Sequence, residues 1–267
     1  MSGVNMTERS GFPAAVLVAQ DADGASRAVA ERVARSVGRG AVNLALATGG
    51  SMAGVYAELA RLARARELSF GDVHAYMLDE YLDLPAESAH SFRAWLDKHL
   101  LGPLGMSPER VHGLGEVTGS GGNRGVGVDR AEAARCYEEL ISARGGIDLC
   151  LLGIGANGHV AFNEPGSAAD SRARVVELHA TTRAAAAPTF GSMDAVPVRA
   201  LTLGLANLRE CRTLCLLALG EHKAEAVRRF LVEPVTPDLP ASLLREHPRL
   251  TVILDRAAAC LLPESGG

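Results

Sequence analysis

Seven short runs of the chain are apolar, most of them continuously: AVLVA at 15–19, NLALAT at 43–48, VHAYML at 73–78, IDLCLL at 147–152, RALTLGL at 199–205, TLCLLAL at 213–219 and LTVIL at 250–254. A strand with one face in water alternates polar and apolar residues, so runs like these predict strands covered on both faces. Between them, apolar spacing predicts helices at 25–37, 52–65, 91–101, 129–143, 222–231 and 241–246. Strands alternating with helices give an α/β fold: a doubly wound, mainly parallel sheet with helices on both faces. Such sheets hold ligands at the carboxyl ends of their strands. A single domain over 11–262 accounts for the pattern, with 1–10 and 263–267 expected as flexible tails. The glycine-rich stretch 113–127 has no apolar period and is read as a surface loop, either a lid or a plain insertion.

Charge narrows the partners. Lys and Arg number 27 against 31 Asp and Glu, a net charge of −4 with no basic cluster, which argues against nucleic acid. Small anions stay open, because backbone dipoles and one or two cations suffice to hold them. The five cysteines (Cys136, Cys150, Cys211, Cys215, Cys260) are odd in number and several lie in apolar runs, so reduced thiols in a cytoplasmic protein are expected. Cys211 and Cys215 lack the further ligands a zinc site needs, and no metal is expected. The sequence contains neither a signal-peptide layout nor an apolar segment approaching the ~20 residues of a membrane span.

Three strand ends carry unusual residues. After the run at 43–48 come Thr48, Gly49, Gly50 and Ser51, then a helix. That arrangement reads as a phosphate cradle of bare N–H groups and a hydroxyl, or as a plain glycine turn with Ser51 as the helix cap. The run at 73–78 ends in Asp79 and Glu80, a general base at a sheet edge or a turn cap beside a solvated carboxylate. The run at 147–152 leads into GIGANGHVAFNEPG, in which Gly153, Gly155 and Gly158 have the spacing of a dinucleotide-binding turn. That reading needs a helix directly after the glycines, and Pro165 and Gly166 disfavour one. A tight turn presenting His159 and Glu164 is left. One shared site explains the three strand ends better than three separate structural accidents.

LATGGSMAGVYAEL, MLDEYLDL followed by AHSF, GIGANGHVAFNEPG, SRARV, VPVRALTLGLANL and LALGEHKAEAV together resemble the glucosamine-6-phosphate deaminase family, from about Ala45 to Asp255. The related 6-phosphogluconolactonases share the glycine–histidine turn but usually lack FNEPG. The resemblance implies conversion of glucosamine 6-phosphate to fructose 6-phosphate and ammonium without a cofactor. It implies that His159 opens the sugar ring, that Asp79 moves the C2 proton to C1, and that Glu164 and Asn157 support the histidine. By the same analogy Thr48, Gly49, Gly50, Ser51 and Lys223 hold the 6-phosphate, with Glu80, Gly155, Gly158 and Arg172 in support. The expected partner is thus an amino sugar phosphate; no nucleic acid or membrane is expected, and a homo-oligomer is left open.

The chain departs from the family pattern at three places. Asn157 stands where Asp is frequent, offering the histidine a hydrogen bond but no charge. Pro188 in AAAAPTF stands where a phosphate-binding Arg is usual, with Arg183 and Arg199 as conceivable replacements. Val176 replaces the Lys of an activator site to which Ser167 and Arg174 otherwise conform, so weak or absent activation by N-acetylglucosamine 6-phosphate is expected. Galactosamine 6-phosphate is an alternative substrate. A sugar-phosphate lactonase and a non-catalytic sugar-phosphate binder are the competing readings.

Overall fold

The computed structural model of the chain describes residues 5–40, 42–85, 87–114 and 129–263. In chain order the elements are β1 (Met6–Arg9), β2 (Ala15–Ala19), α1 (Ala22–Val37), β3 (Asn43–Leu46), α2 (Gly50–Arg66), β4 (His74–Met77) and β5 (Asp79–Tyr81). Then come α3 (Phe92–Leu96), a π turn (Asp97–Leu101), α4 (Gly102–Leu104), β6 (Val111–His112), α5 (Arg130–Ala143), β7 (Leu149–Leu152), β8 (Arg174–Glu177) and α6 (Ala180–Phe190). The chain closes with β9 (Arg199–Thr202), α7 (Leu205–Arg209), β10 (Leu214–Ala218), α8 (Ala224–Val232), a short 3-10 helix (Pro240–Leu244) and β11 (Leu250–Asp255).

The main sheet has eight strands in the order β1-β2-β11-β10-β7-β3-β4-β6, and every pairing except β1 with β2 is parallel. All residues of β3, β7, β10 and β11 are buried, as continuous apolar runs require when helices cover both faces. From β3 the chain winds outward through β4 to β6; from β7 it winds the other way through β10 to β11. The winding therefore reverses between β7 and β3, and the loops leaving those two strands diverge to open a crevice. No helix of the described residues is long and apolar enough to cross a membrane.

Several elements differ from the sequence-based expectation. The run at 199–205 is not a strand of the main sheet. Its first residues form β9, the centre of a second, three-stranded antiparallel sheet, β5-β9-β8. The neighbouring β8 alternates between half-buried and exposed residues, the sign of a sheet with one wet face. Met6–Arg9, expected to be loose, pairs along the free edge of β2, with Met6 packed against the core. The expected helix at 241–246 is a 3-10 turn, and that at 91–101 loosens into a π turn. Helix α6 is absent from the expected helices; its Pro188 lies in the last turn, where only one hydrogen bond is lost. Apart from Gly113 and Leu114, the glycine-rich stretch 113–127 lies outside the described residues.

Candidate active site

Four neighbouring strands of the main sheet, β10, β7, β3 and β4, each release one group of sequence-predicted residues at their carboxyl ends. Lys223 follows β10, the 153–164 turn follows β7, Thr48–Ser51 follow β3, and Asp79 follows β4. Strands at ~4.8 Å spacing place the four groups along a front of roughly 15 Å, the scale of a phosphorylated sugar with its surroundings.

The histidine turn is built around its glycines. The Gly155 N–H donates to the His159 carbonyl at 2.9 Å, closing the loop. A Cβ on Gly155 would lie 2.3 Å from two atoms of the imidazole, so only glycine leaves room for the ring. Gly158 has φ +85° and a side chain there would meet Leu239 at 2.1 Å. The glycine spacing thus serves the histidine, and no helix follows until α6.

Two donors fix the orientation of Asn157. His159 Nδ1 lies 2.7 Å and the His159 backbone N–H donor 3.2 Å from the same terminal atom, which is therefore the carbonyl Oδ1. The amide Nδ2 then donates to Glu164 Oε2 at 2.8 Å. With Asn157 Oδ1 accepting, the neutral imidazole carries its proton on Nδ1 and keeps a lone pair on Nε2. Glu164 Oε1 accepts from the His179 N–H at 3.2 Å, and Oε2 stands 3.6 Å from His159 Nδ1. Burial lowers the basicity of His159; Lys223 adds to the effect and Glu164 opposes it. Glu164 reaches back because the chain turns sharply at Ala161, a non-glycine residue at φ +49°. The fully buried Asn163 holds that turn, donating to the carbonyls of Val160 and Leu203 at 3.1 and 2.8 Å.

Asp79 sits where the chain leaves the main sheet for the small one. It pairs with Thr202 of β9, whose hydroxyl accepts from the Phe162 N–H at 3.1 Å, so Asp79 and the histidine turn share one structural link. Its carboxylate is buried, and among the described residues no hydrogen bond to it is found. Burial, with the charge of Glu80 adding to it, pushes its pKa up to about 8. Glu80 does not face open water: it accepts from the N–H groups of Phe92 and Arg93, both at 3.0 Å, and so caps α3.

At the end of β3, Gly49 at φ +102° is the N-cap of α2, and no side chain caps the helix. Ser51 is thus inside the first turn, and among the described residues no side chain satisfies the leading amides. Tyr56 Oη donates to the Ala47 carbonyl at 2.5 Å and anchors this loop from below, a role without a local signal in the sequence. Lys223 is half-buried, burial lowers its pKa, and among the described residues it has no carboxylate partner. The expected support Arg172 and both replacement arginines, Arg183 and Arg199, are engaged elsewhere. Arg172 is paired with Glu138 at 3.1 Å and with Glu210, and the Arg183 guanidinium donates to the carbonyls of Met193 and Val196. Arg199 pairs with Asp83 at 2.9 Å.

A family model described as glucosamine-6-phosphate isomerases/6-phosphogluconolactonase matches residues 18–253. The chain belongs to this family. Within it, the glucosamine-6-phosphate deaminase of Rhodopirellula baltica is 41% identical over 263 residues, covering 98% of each chain. Glucosamine-6-phosphate deaminase 2 of Giardia intestinalis is 42% identical over 240 residues, 89% of this chain and 88% of that one. A solved monomeric glucosamine-6-phosphate deaminase superposes with a TM-score of 0.86 at 37% identity, covering 92% of this chain and 99% of its own. The 6-phosphogluconolactonase of Trypanosoma brucei has a TM-score of 0.72 at 22% identity, covering 95% of this chain and 100% of its own, a likeness of fold. Family membership accounts for the fold.

Proposed function

We propose that the chain deaminates and isomerises glucosamine 6-phosphate, giving fructose 6-phosphate and ammonium. The observation that carries this reading is a histidine with a free Nε2 at the end of β7 and a buried carboxylate, without a hydrogen-bond partner among the described residues, at the end of β4, the two strands flanking β3. Nε2 of His159 takes the proton from O1 as the C1–O5 bond breaks and returns it to O5, giving the open-chain aldehyde. Asp79, once ionised, removes the C2 proton and delivers it to C1 while a proton passes from the amine nitrogen to O1, so that C1 becomes an alcohol and the C2 amine an imine. Water adds to that imine and ammonia leaves. Asn157 and Glu164 hold the ring of His159 and share its charge while it carries the extra proton. The leading amides of Gly50 and Ser51, the hydroxyls of Thr48 and Ser51, and the Lys223 ammonium receive the 6-phosphate. The five free cysteines support a reducing, cytosolic setting.

A lactonase is the second reading, because it needs the histidine and the phosphate site but no base at C2. Replacement of Asp79 by Asn separates the two. A deaminase variant should lose about 10²- to 10⁴-fold in kcat on the amino sugar phosphate. Brisk hydrolysis of 6-phosphogluconolactone by both wild type and variant, without ammonia release by either, would replace the deaminase reading with the lactonase.

A further inference from the structure

The first turn of α6 touches every member of the network around His159. The His179 N–H donates to Glu164 Oε1 at 3.2 Å, Thr181 Oγ1 accepts from Asn157 Nδ2 at 3.4 Å, and Thr182 Oγ1 lies 3.3 Å from His159 Nδ1. Thr182 is the one buried residue of α6. The rest of the helix is anchored without it: Arg183 ties α6 to the carbonyls of Met193 and Val196, and Phe190 packs on Tyr81 and His90.

We infer that Thr182 is a positioning residue for His159, its hydroxyl oxygen accepting alongside Asn157 Oδ1 from the ring N–H. The inference rests on the reading of His159 as the proton carrier. A carboxylate at position 157 would offer charge to the imidazolium; the amide of Asn157 offers only a dipole. A second oxygen on the same N–H then strengthens most when the ring gains its proton, which is when the reaction needs it. The charged groups acting on His159 are Glu164 from the turn after β7 and Lys223 from the turn after β10. His179, at the start of α6, is the titratable group on Thr182's own element and is engaged with Thr181 at 2.9 Å. None of these is altered by a change at Thr182.

Thr182→Val keeps the side-chain shape and removes the oxygen; Thr182→Ser keeps the oxygen. Both are made in the full chain and read in two ways: steady-state kinetics against pH, and the ¹⁵N ring shifts of His159 against pH without substrate. Valine should lower kcat about three- to tenfold, the effect of one neutral hydrogen bond, with KM within about twofold of wild type. Because the protonated ring loses an acceptor, the His159 midpoint and the acid limb of kcat should both move to lower pH. Serine should restore both. An unchanged His159 titration in the valine variant, or a serine variant impaired as much as valine, overturns the inference. The titration needs no turnover, so failure of the chain to release ammonia would overturn the proposed function without deciding the role of Thr182.

Discussion

At the scale of single residues, Asp79 sets a conflict between stability and reaction. Its pKa of about 8 lies far above the ordinary carboxylate value of 3.8, so the folded chain holds a proton there that the unfolded chain releases. Between those two values the folded state binds more protons, and stability falls as pH rises. Asp79→Asn should therefore raise the melting temperature at pH 8.5 and change it little near pH 4, while lowering kcat about 10²- to 10⁴-fold. The sign for catalysis is opposite: a base must be ionised, so kcat/KM of the wild type should rise with pH up to about 8. A melting curve at each pH and one rate profile check both signs. Lys223 is the second case. With Arg183 and Arg199 engaged elsewhere, Lys223→Met removes an unpaired cation and should raise KM about 10- to 100-fold with a much smaller effect on kcat.

At the scale of elements, the buried strands were readable because a parallel sheet covered on both faces writes itself as continuous apolar runs. The strand-end residues Thr48–Ser51, Asp79, His159 and Glu164 stood out for the same reason, polar chemistry directly after such a run, whereas Lys223 came only from the family resemblance. The antiparallel sheet was not, since β5 is only Asp79–Tyr81 and is joined to β4 through Leu78 alone. Nor was α6, with its proline and alanines, and Thr182 went unnoticed with it. The roles of Tyr56 and Asn163 are set by tertiary contacts, which have no local signature. At the opposite end of β4, away from the strand-end site, His74 and His112 form another long-range pair. Arg110 donates to His74 Nε2 at 3.1 Å, leaving His74 Nδ1 to donate to His112 Nε2 at 2.9 Å. Burial first, then Arg144, His74 and Arg93, hold His112 down to about 4. The folded state thus binds fewer protons than the unfolded one between about 4 and 6.5, and stability should fall as pH drops through that window. His112→Gln should flatten this slope, by roughly 1–3 kcal/mol across the window; urea unfolding at pH 7 and pH 4.5 measures it.

At the scale of the whole molecule, one topological fact gathers the chemistry: the winding reverses between β7 and β3, so loops from four adjacent strands face one crevice. A shallow, open depression of about 440 Å³ borders the Glu164 turn, lined among others by Glu164, Ser167, Arg174, Val176 and Glu177. Arg174 is the one cation among its described lining residues, set against the carboxylates of Glu164 and Glu177, and its guanidinium is already donating to Asn163 at 3.0 Å and Ser167 at 3.2 Å. A phosphorylated activator finds little excess positive charge there. Millimolar N-acetylglucosamine 6-phosphate should leave the substrate–rate curve unshifted.

The measurement that bears most directly on the account is release of ammonium and fructose 6-phosphate from glucosamine 6-phosphate by the purified chain, beside His159→Ala. The account predicts equal amounts of the two products from the wild type and a loss of at least about 10²-fold in the variant. A well-folded wild type that releases neither at millimolar substrate, or a variant as active as the wild type, would contradict it.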